Sequence, residues 1–187
     1  MNRLFEAAKE VSDFMAEREW RFCLIGGLAV VCWGEVRFTQ DADIALLTGY
    51  GGEEPFARAL LGRFSGRLTN ALEFSLRNRV LLIKSQTGVP IDIAFSALPF
   101  EREMCDRAVR FEFEPGCSLP VCTADDLFIM KLFAARPKDL RDAESIAIRQ
   151  AGKLDKARIL SHLAELSELK EEPAMLARAQ QILEPHV

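Results

Sequence analysis

Apolar residues recur at helical spacing along the first eighteen positions: Leu4, Ala8, Val11, Phe14 and Met15 share one face, with Glu6, Lys9, Asp13 and Glu17 opposite. That period predicts an amphipathic helix over 4–18. Residues 21–25, apolar from Phe22 onward, then read as a short buried strand, ended by Gly26-Gly27. Residues 28–33 resume as a buried helix with Gly34 as its stop. Residues 41–47 predict a second strand, closed by Thr48-Gly49-Tyr50-Gly51-Gly52. A helix over 53–64, with Pro55 in its first turn, leads into a β-rich part: 72–76, 80–84 and 90–95, the last two joined by Thr87-Gly88-Val89-Pro90. A helix over 99–107 and short strands near 109–113 and 119–122 follow. From Thr123, a good N-cap with acidic residues behind it, the pattern is helical: 127–135, 138–150, 153–169 and 173–183, fraying through Glu184-Pro185-His186-Val187.

The change of character near residue 122 predicts two parts, an α/β domain over 1–122 and a helical region over 123–187 packed on it. The expected class is α/β: a small mixed, twisted sheet with flanking helices, followed by a C-terminal helical bundle, with the active site in the cleft between sheet and bundle. Composition agrees, with 187 residues, 49% hydrophobic and 28% charged, as in a folded domain with a sizeable core. The longest apolar run, residues 22–33, is too short to cross a bilayer and is broken by the Gly pair. The N-terminus does not look like a signal peptide, so a cytoplasmic protein is the expectation. Five cysteines without CxxC spacing read as structural thiols, and only His162 and His186 exist, which disfavours a histidine-built metal site or triad. A net charge of −4 argues against nucleic-acid binding over the whole surface but leaves room for a local basic groove.

The chemistry lies in three places. Asp41 and Asp43 stand two apart in an apolar strand, so their carboxylates face one way. Like charges that close are unfavourable unless a cation sits between them or one takes a proton. Oxygen ligands without His or Cys suit Mg²⁺, with Mn²⁺ as an alternative, and substrate phosphates complete such a shell. Gly26-Gly27 ahead of a helix brings backbone N–H groups to an anion. Asp92, in Ile91-Asp92-Ile93, interrupts an otherwise apolar strand and needs a partner or a task.

Gly26-Gly27, a gap of thirteen residues, Asp41-Ala42-Asp43-Ile44 and later Ile91-Asp92-Ile93 together resemble the signature of the DNA polymerase beta-type nucleotidyltransferase superfamily. Gly34, Arg37-x-Thr39-x-Asp41-x-Asp43 and the stretch from Asp126-Leu127 through Met130-Lys131-Leu132 to Lys138-Asp139-Leu140-x-Asp142 narrow it. They resemble the minimal nucleotidyltransferases of the AbiEii-like toxin group, over roughly residues 20–150. The resemblance implies the nucleotidyltransferase fold and metal-dependent transfer of NMP from an NTP to a hydroxyl. The acceptor would be an RNA 3′ end, tRNA-like, or a protein side chain, in a toxin–antitoxin or phage-defence pair with a cognate antitoxin. Asp41, Asp43 and Asp92 would be catalytic and metal-holding. Gly26, Gly27, Arg37, Thr39 and Lys131 would bind the nucleotide.

Each residue also has a plainer reading. The Gly pair could be a turn alone, and Asp41-x-Asp43 a solvated strand edge. Asp92 could pair with Arg37 or Arg79, and Arg37 could serve a carboxylate rather than phosphate. Lys131 could snorkel on an amphipathic surface. Asp139, Arg141 and Asp142 read as helix ion pairs or caps, Phe128 and Phe133 as core, and His162 as surface. Arg77, Arg79, Lys84, Lys131, Arg136, Lys138 and Arg141 could line a local RNA path. Two other functions stay open: a small-acceptor, antibiotic-type transferase, and a non-catalytic module that binds nucleotide or a partner.

Overall fold

The computed structural model describes residues 2–184, so His186 and its neighbours lie outside it. In chain order the strands are β1 (Phe22–Ile25), β2 (Ala42–Leu47), β3 (Ser65–Gly66), β4 (Val80–Lys84), β5 (Pro90–Ser96), β6 (Val109–Glu114) and β7 (Cys117–Val121). The helices are α1 (Arg3–Ala16), α2 (Gly26–Trp33), α3 (Glu53–Leu61), α4 (Ala71–Asn78), α5 (Pro99–Asp106), α6 (Ala124–Ala134), α7 (Pro137–Arg149), α8 (Lys156–Lys170) and α9 (Ala174–Leu183). The class is α/β, as the sequence pattern predicts. Two compact units emerge: the chain up to Leu28 with Phe38–Cys122, and Ala29–Arg37 with the chain from Thr123 onward.

In the first unit, the described strands form one mixed seven-stranded sheet of order β3-β4-β5-β2-β1-β7-β6. β1 is antiparallel to β2 and parallel to β7, and β2 is parallel to β5. All four residues of β1 are buried, which is why its sequence is a continuous apolar run rather than an alternating one. Leu24, Ile44, Leu46, Leu81, Ile83, Ile91 and Ile93 are essentially inaccessible. Burying each such side chain contributes about 2 kcal/mol. α1 lies against β7, α5 against β2, and α4 against β4.

The segment 72–76, expected as a strand, is helical and forms the body of α4. Leu72, Phe74 and Leu76 alternate with polar residues, but so short an alternation fits either period. Helical spacing wins because Ala71 and Ser75, one turn apart, are the buried pair, while Leu76 stays exposed. β3, only two residues long, has no signal in the hydrophobic pattern.

In the second unit, Thr123 caps α6 as expected, its hydroxyl accepting from the Asp126 N–H at 3.2 Å. Leu127, Phe128, Ile129, Leu132, Ala143, Ile146, Ile159, Leu163 and Met175 make up this unit's core. His162 is half-buried rather than on the surface. The cysteines are reduced, outside any disulfide, and all but Cys105 are buried. Burial pushes the Cys32 thiol up to about 12, with Arg149 opposing, so it stays protonated and unreactive. No described helix is long and apolar enough to cross a membrane.

Arg79 ties three parts of the first unit together. It ends α4 in the left-handed conformation, with φ 54°. Its Nη2 donates to the Phe95 carbonyl at 2.8 Å and the Gly49 carbonyl at 3.2 Å, and its guanidinium pairs with buried Glu53. Burial alone would raise the Glu53 pKa, but N–H groups of Glu53 and Gly51 and the arginine hold it below the usual range. Arg79→Ala leaves that carboxylate without its cation and should lower stability by about 2 kcal/mol in urea unfolding. An unchanged midpoint would show that water replaces the guanidinium without loss.

Candidate active site

The register of the parallel β2–β5 pair sets Asp43 beside Asp92, flanked by the apolar pairs Ala42↔Ile91 and Ile44↔Ile93. Residues in register share a face, so both carboxylates leave the sheet on the same side, on strands about 5 Å apart. Asp41 stands one residue ahead of β2, and its charge acts on Asp92. Burial pushes Asp92 above the usual carboxylate range; Asp41 adds to this, and Arg67 opposes it without cancelling it. Three acidic residues from two distant places in the sequence thus stand at one end of the β2–β5 pair.

The Gly pair meets them. Gly26 has φ +60°, and a Cβ there would lie 1.9 Å from Asp43 Oδ2. A side chain is therefore barred twice, by backbone conformation and by space. The Gly27 N–H, at the start of α2, donates to the same oxygen at 3.2 Å. A Cβ on Gly27 would fall 2.5 Å from Thr39 Oγ1. That hydroxyl bonds Asp41 Oδ1 at 3.1 Å, so Thr39 braces the acidic loop. Gly26, Gly27, Thr39, Asp41, Asp43 and Asp92 all belong to the first unit.

Asp92 has a partner the sequence reading did not find. It pairs neither with Arg37 nor with Arg79, but with Arg67. The Arg67 N–H donates to the Leu82 carbonyl at 2.9 Å, and Leu82 is the register neighbour of Asp92. Arg67 thus extends the row Asp43, Asp92, Leu82 to the edge of the sheet.

Arg37 and Lys131 come together in the second unit. Arg37 grips Asp142 with both prongs, Nε at 3.0 Å and Nη2 at 3.1 Å. Lys131 Nζ lies 2.9 Å from Asp142 and 3.2 Å from Asp139, and Arg136 also donates to Asp139. Lys131, Asp139 and Asp142 are all buried, so Lys131 does not snorkel. Asp139 forms the expected kind of helix ion pair, with Arg136 three residues earlier, but from a buried position, and Asp142 is an interior acceptor for Arg37 and Lys131. Burial would raise both carboxyls, but hydrogen bonds from Arg136 and Lys131 hold Asp139 low, and those from Arg37 and Lys131 hold Asp142 low. Of the basic residues expected along an RNA path, Arg79 and Lys131 are thus turned to internal carboxylates, whereas Arg77, Lys84, Lys138 and Arg141 are exposed.

The donor set of Asp41, Asp43 and Asp92 fits a hard divalent cation by type, being all carboxylate oxygen. As they stand, no three His, Cys, Asp or Glu side chains among the described residues are grouped closely enough to hold a metal. Arg67 supplies the positive charge at Asp92 instead.

The family described as nucleotidyl transferase AbiEii toxin, type IV toxin–antitoxin system, matches residues 16–184. No curated protein matches the chain in sequence. Among solved structures, an antigenic nucleotidyltransferase-like protein from Paracoccidioides brasiliensis is similar at 13% identity and a TM-score of 0.53, over 96% of this chain and 93% of that one. That likeness shows a nucleotidyltransferase fold. The lincosamide antibiotic adenylyltransferase LnuA aligns at 13% identity and a TM-score of 0.47, over 75% of this chain and 94% of that one. The antibiotic-resistance factor ANT(2'')-Ia aligns at 15% and 0.47, over 97% and 96%.

The buried charges of the second unit give a pH test. Asp139 and Asp142 have folded pKa values below the ordinary 3.8. Their stabilising contribution is full above that value and is lost as pH falls through the lower, folded values. Asp142→Asn should cost about 3 kcal/mol near neutrality, because Arg37 and Lys131 lose their shared anion. The deficit should shrink as pH drops below about 4, as followed by denaturant melts across pH. A deficit constant with pH would place the loss in packing rather than charge.

Proposed function

Because the chain belongs to the AbiEii nucleotidyl transferase toxin family, we propose that it moves NMP from an NTP to a hydroxyl, with Mg²⁺ or Mn²⁺ held by Asp41, Asp43 and Asp92. The acceptor is an RNA 3′ end or a protein side chain, and the setting is a cytoplasmic toxin restrained by a cognate antitoxin. The observation that carries this reading is the β2–β5 register, which sets Asp92 beside Asp43 on one face of the sheet.

The reaction is an in-line displacement at the α-phosphorus with pyrophosphate leaving, and bound divalent metal supplies charge stabilisation on the attacking and departing oxygens. Asp92, whose pKa burial holds above the usual carboxylate range, takes the proton of the attacking hydroxyl. Asp43 leaves the Gly27 N–H, freeing the backbone donors of the Gly pair for the β- and γ-phosphates. Thr39 keeps Asp41 aimed. Arg37 and Lys131 are proposed for the triphosphate as well. Asp142 holds both as the chain stands, so each would have to turn from it to reach phosphate.

Incubation with each of four labelled NTPs, with total tRNA or cell extract as acceptor, tests the reading. Wild type should label one class of acceptor in a metal-dependent way. Asp41→Asn and Asp43→Asn should abolish labelling while changing the melting temperature by no more than about 2 °C, since each relieves repulsion between close carboxylates. A large loss of melting temperature in step with activity would make these residues structural. Gly27→Val should weaken NTP binding in calorimetry, because the added carbons press on Thr39 and close the approach to the N–H groups. Unchanged affinity would remove this turn as the phosphate site.

A further inference from the structure

Arg67 is an unusual neighbour for a metal-binding carboxylate. It follows the two-residue edge strand β3, and its backbone is fixed by the bond to the Leu82 carbonyl. Antiparallel pairing places Leu82 opposite Asp92, so the arginine side chain starts one strand beyond Leu82 and reaches back across β4. Its Nη2 ends on Asp92 Oδ1, with about a quarter of the Arg67 side chain and a third of the Asp92 side chain exposed. The Arg67 Nε is buried without a hydrogen-bond partner. The guanidinium is therefore held by one carboxylate rather than locked into a bidentate or multi-carbonyl cage, and this marks it as displaceable.

A divalent cation and a guanidinium cannot both sit on one carboxylate without strong mutual repulsion. We infer that Arg67 is a built-in competitor of the metal at Asp92: it neutralises the acidic site at rest and must swing off before Asp92 can serve as the third ligand. This rests on the metal reading above. The apparent metal affinity is lowered by the fraction of molecules in which Arg67 holds Asp92, the cost of a binding-competent state that is only partly populated. The edge position suits this role, because a side chain rooted on a two-residue strand can rotate outward without disturbing the β2–β5 pair.

The test is direct titration of Mg²⁺ by calorimetry into the full chain without nucleotide, with thermal melts run with and without Mg²⁺. Arg67→Gln should bind Mg²⁺ about tenfold more tightly than wild type. It should also melt lower than wild type without metal and regain the difference when metal is added. Arg67→Lys, which keeps the charge, should stay near wild type. Arg67→Met should behave as the Gln variant and serves if that one does not fold. Equal or weaker Mg²⁺ binding in the charge-removing variants would overturn the inference, since an arginine that orients Asp92 for metal would weaken binding when lost. Asp43→Asn separates the two failures. If wild type binds Mg²⁺ and Asp43→Asn does not, the metal reading holds and Arg67 alone is judged. If no variant binds Mg²⁺, the metal reading falls, and the role of Arg67 with it.

Discussion

Two carboxylates on neighbouring parallel strands, facing the same way, demand positive charge. Asp43 and Asp92 are in that position because Ala42, Ile44, Ile91 and Ile93 are buried in register around them. A slip of β5 by one residue against β2 would turn Ile91 and Ile93 outward and Asp92 inward, so the core itself enforces the pairing of the acids. The sheet spends part of its stability holding like charges together. Gly26, Gly27, Thr39 and Arg67 are the local answers to that repulsion: two N-terminal helix residues without side chains, a hydroxyl on Asp41 and a guanidinium on Asp92.

The second unit meets the same constraint differently. There Arg37, Asp142, Lys131, Asp139 and Arg136 alternate in sign along one chain of contacts. Each buried charge has an opposite neighbour, and those neighbours hold the Asp139 and Asp142 carboxyls below the usual range. Such a network does little for net stability compared with apolar packing, yet breaking any one member is costly because the remaining charges stay buried. It fixes how α6 and α7 pair more than how strongly they do. In the first unit the guanidinium of Arg67 stands against Asp92.

Asp41 and Asp43, the Gly pair and Asp92 were legible in the sequence because each announces itself locally. A charge in an apolar frame and a Gly pair between a strand and a helix carry their reason within a few residues. Arg67 carries no such mark. It sits in a polar turn, where arginine is ordinary, and its importance exists only through Leu82, the strand that lies between it and Asp92. The burial of Asp139 and Asp142 carries no local mark either, since acids three apart near a helix start usually face water, and only tertiary packing buries them against Lys131. The segment 72–76 shows the limit of short periodicity: three alternating apolar residues fit either a strand or a turn and a half of helix.

The family match and the fold fix the class of this chain, but the arrangement of charge says more about its resting state. On the proposed reading the site takes divalent metal and a polyanionic nucleotide, and without them its carboxylates would repel one another across the strands. A tethered arginine answers that hazard. It offsets the repulsion within the fold at rest, and a ligand of higher charge density can outcompete it. If Arg67 competes with metal as proposed, the side chain that offsets the repulsion would also set how strongly metal must bind, so stability and readiness for catalysis would be opposed through the ion pair between Arg67 and Asp92.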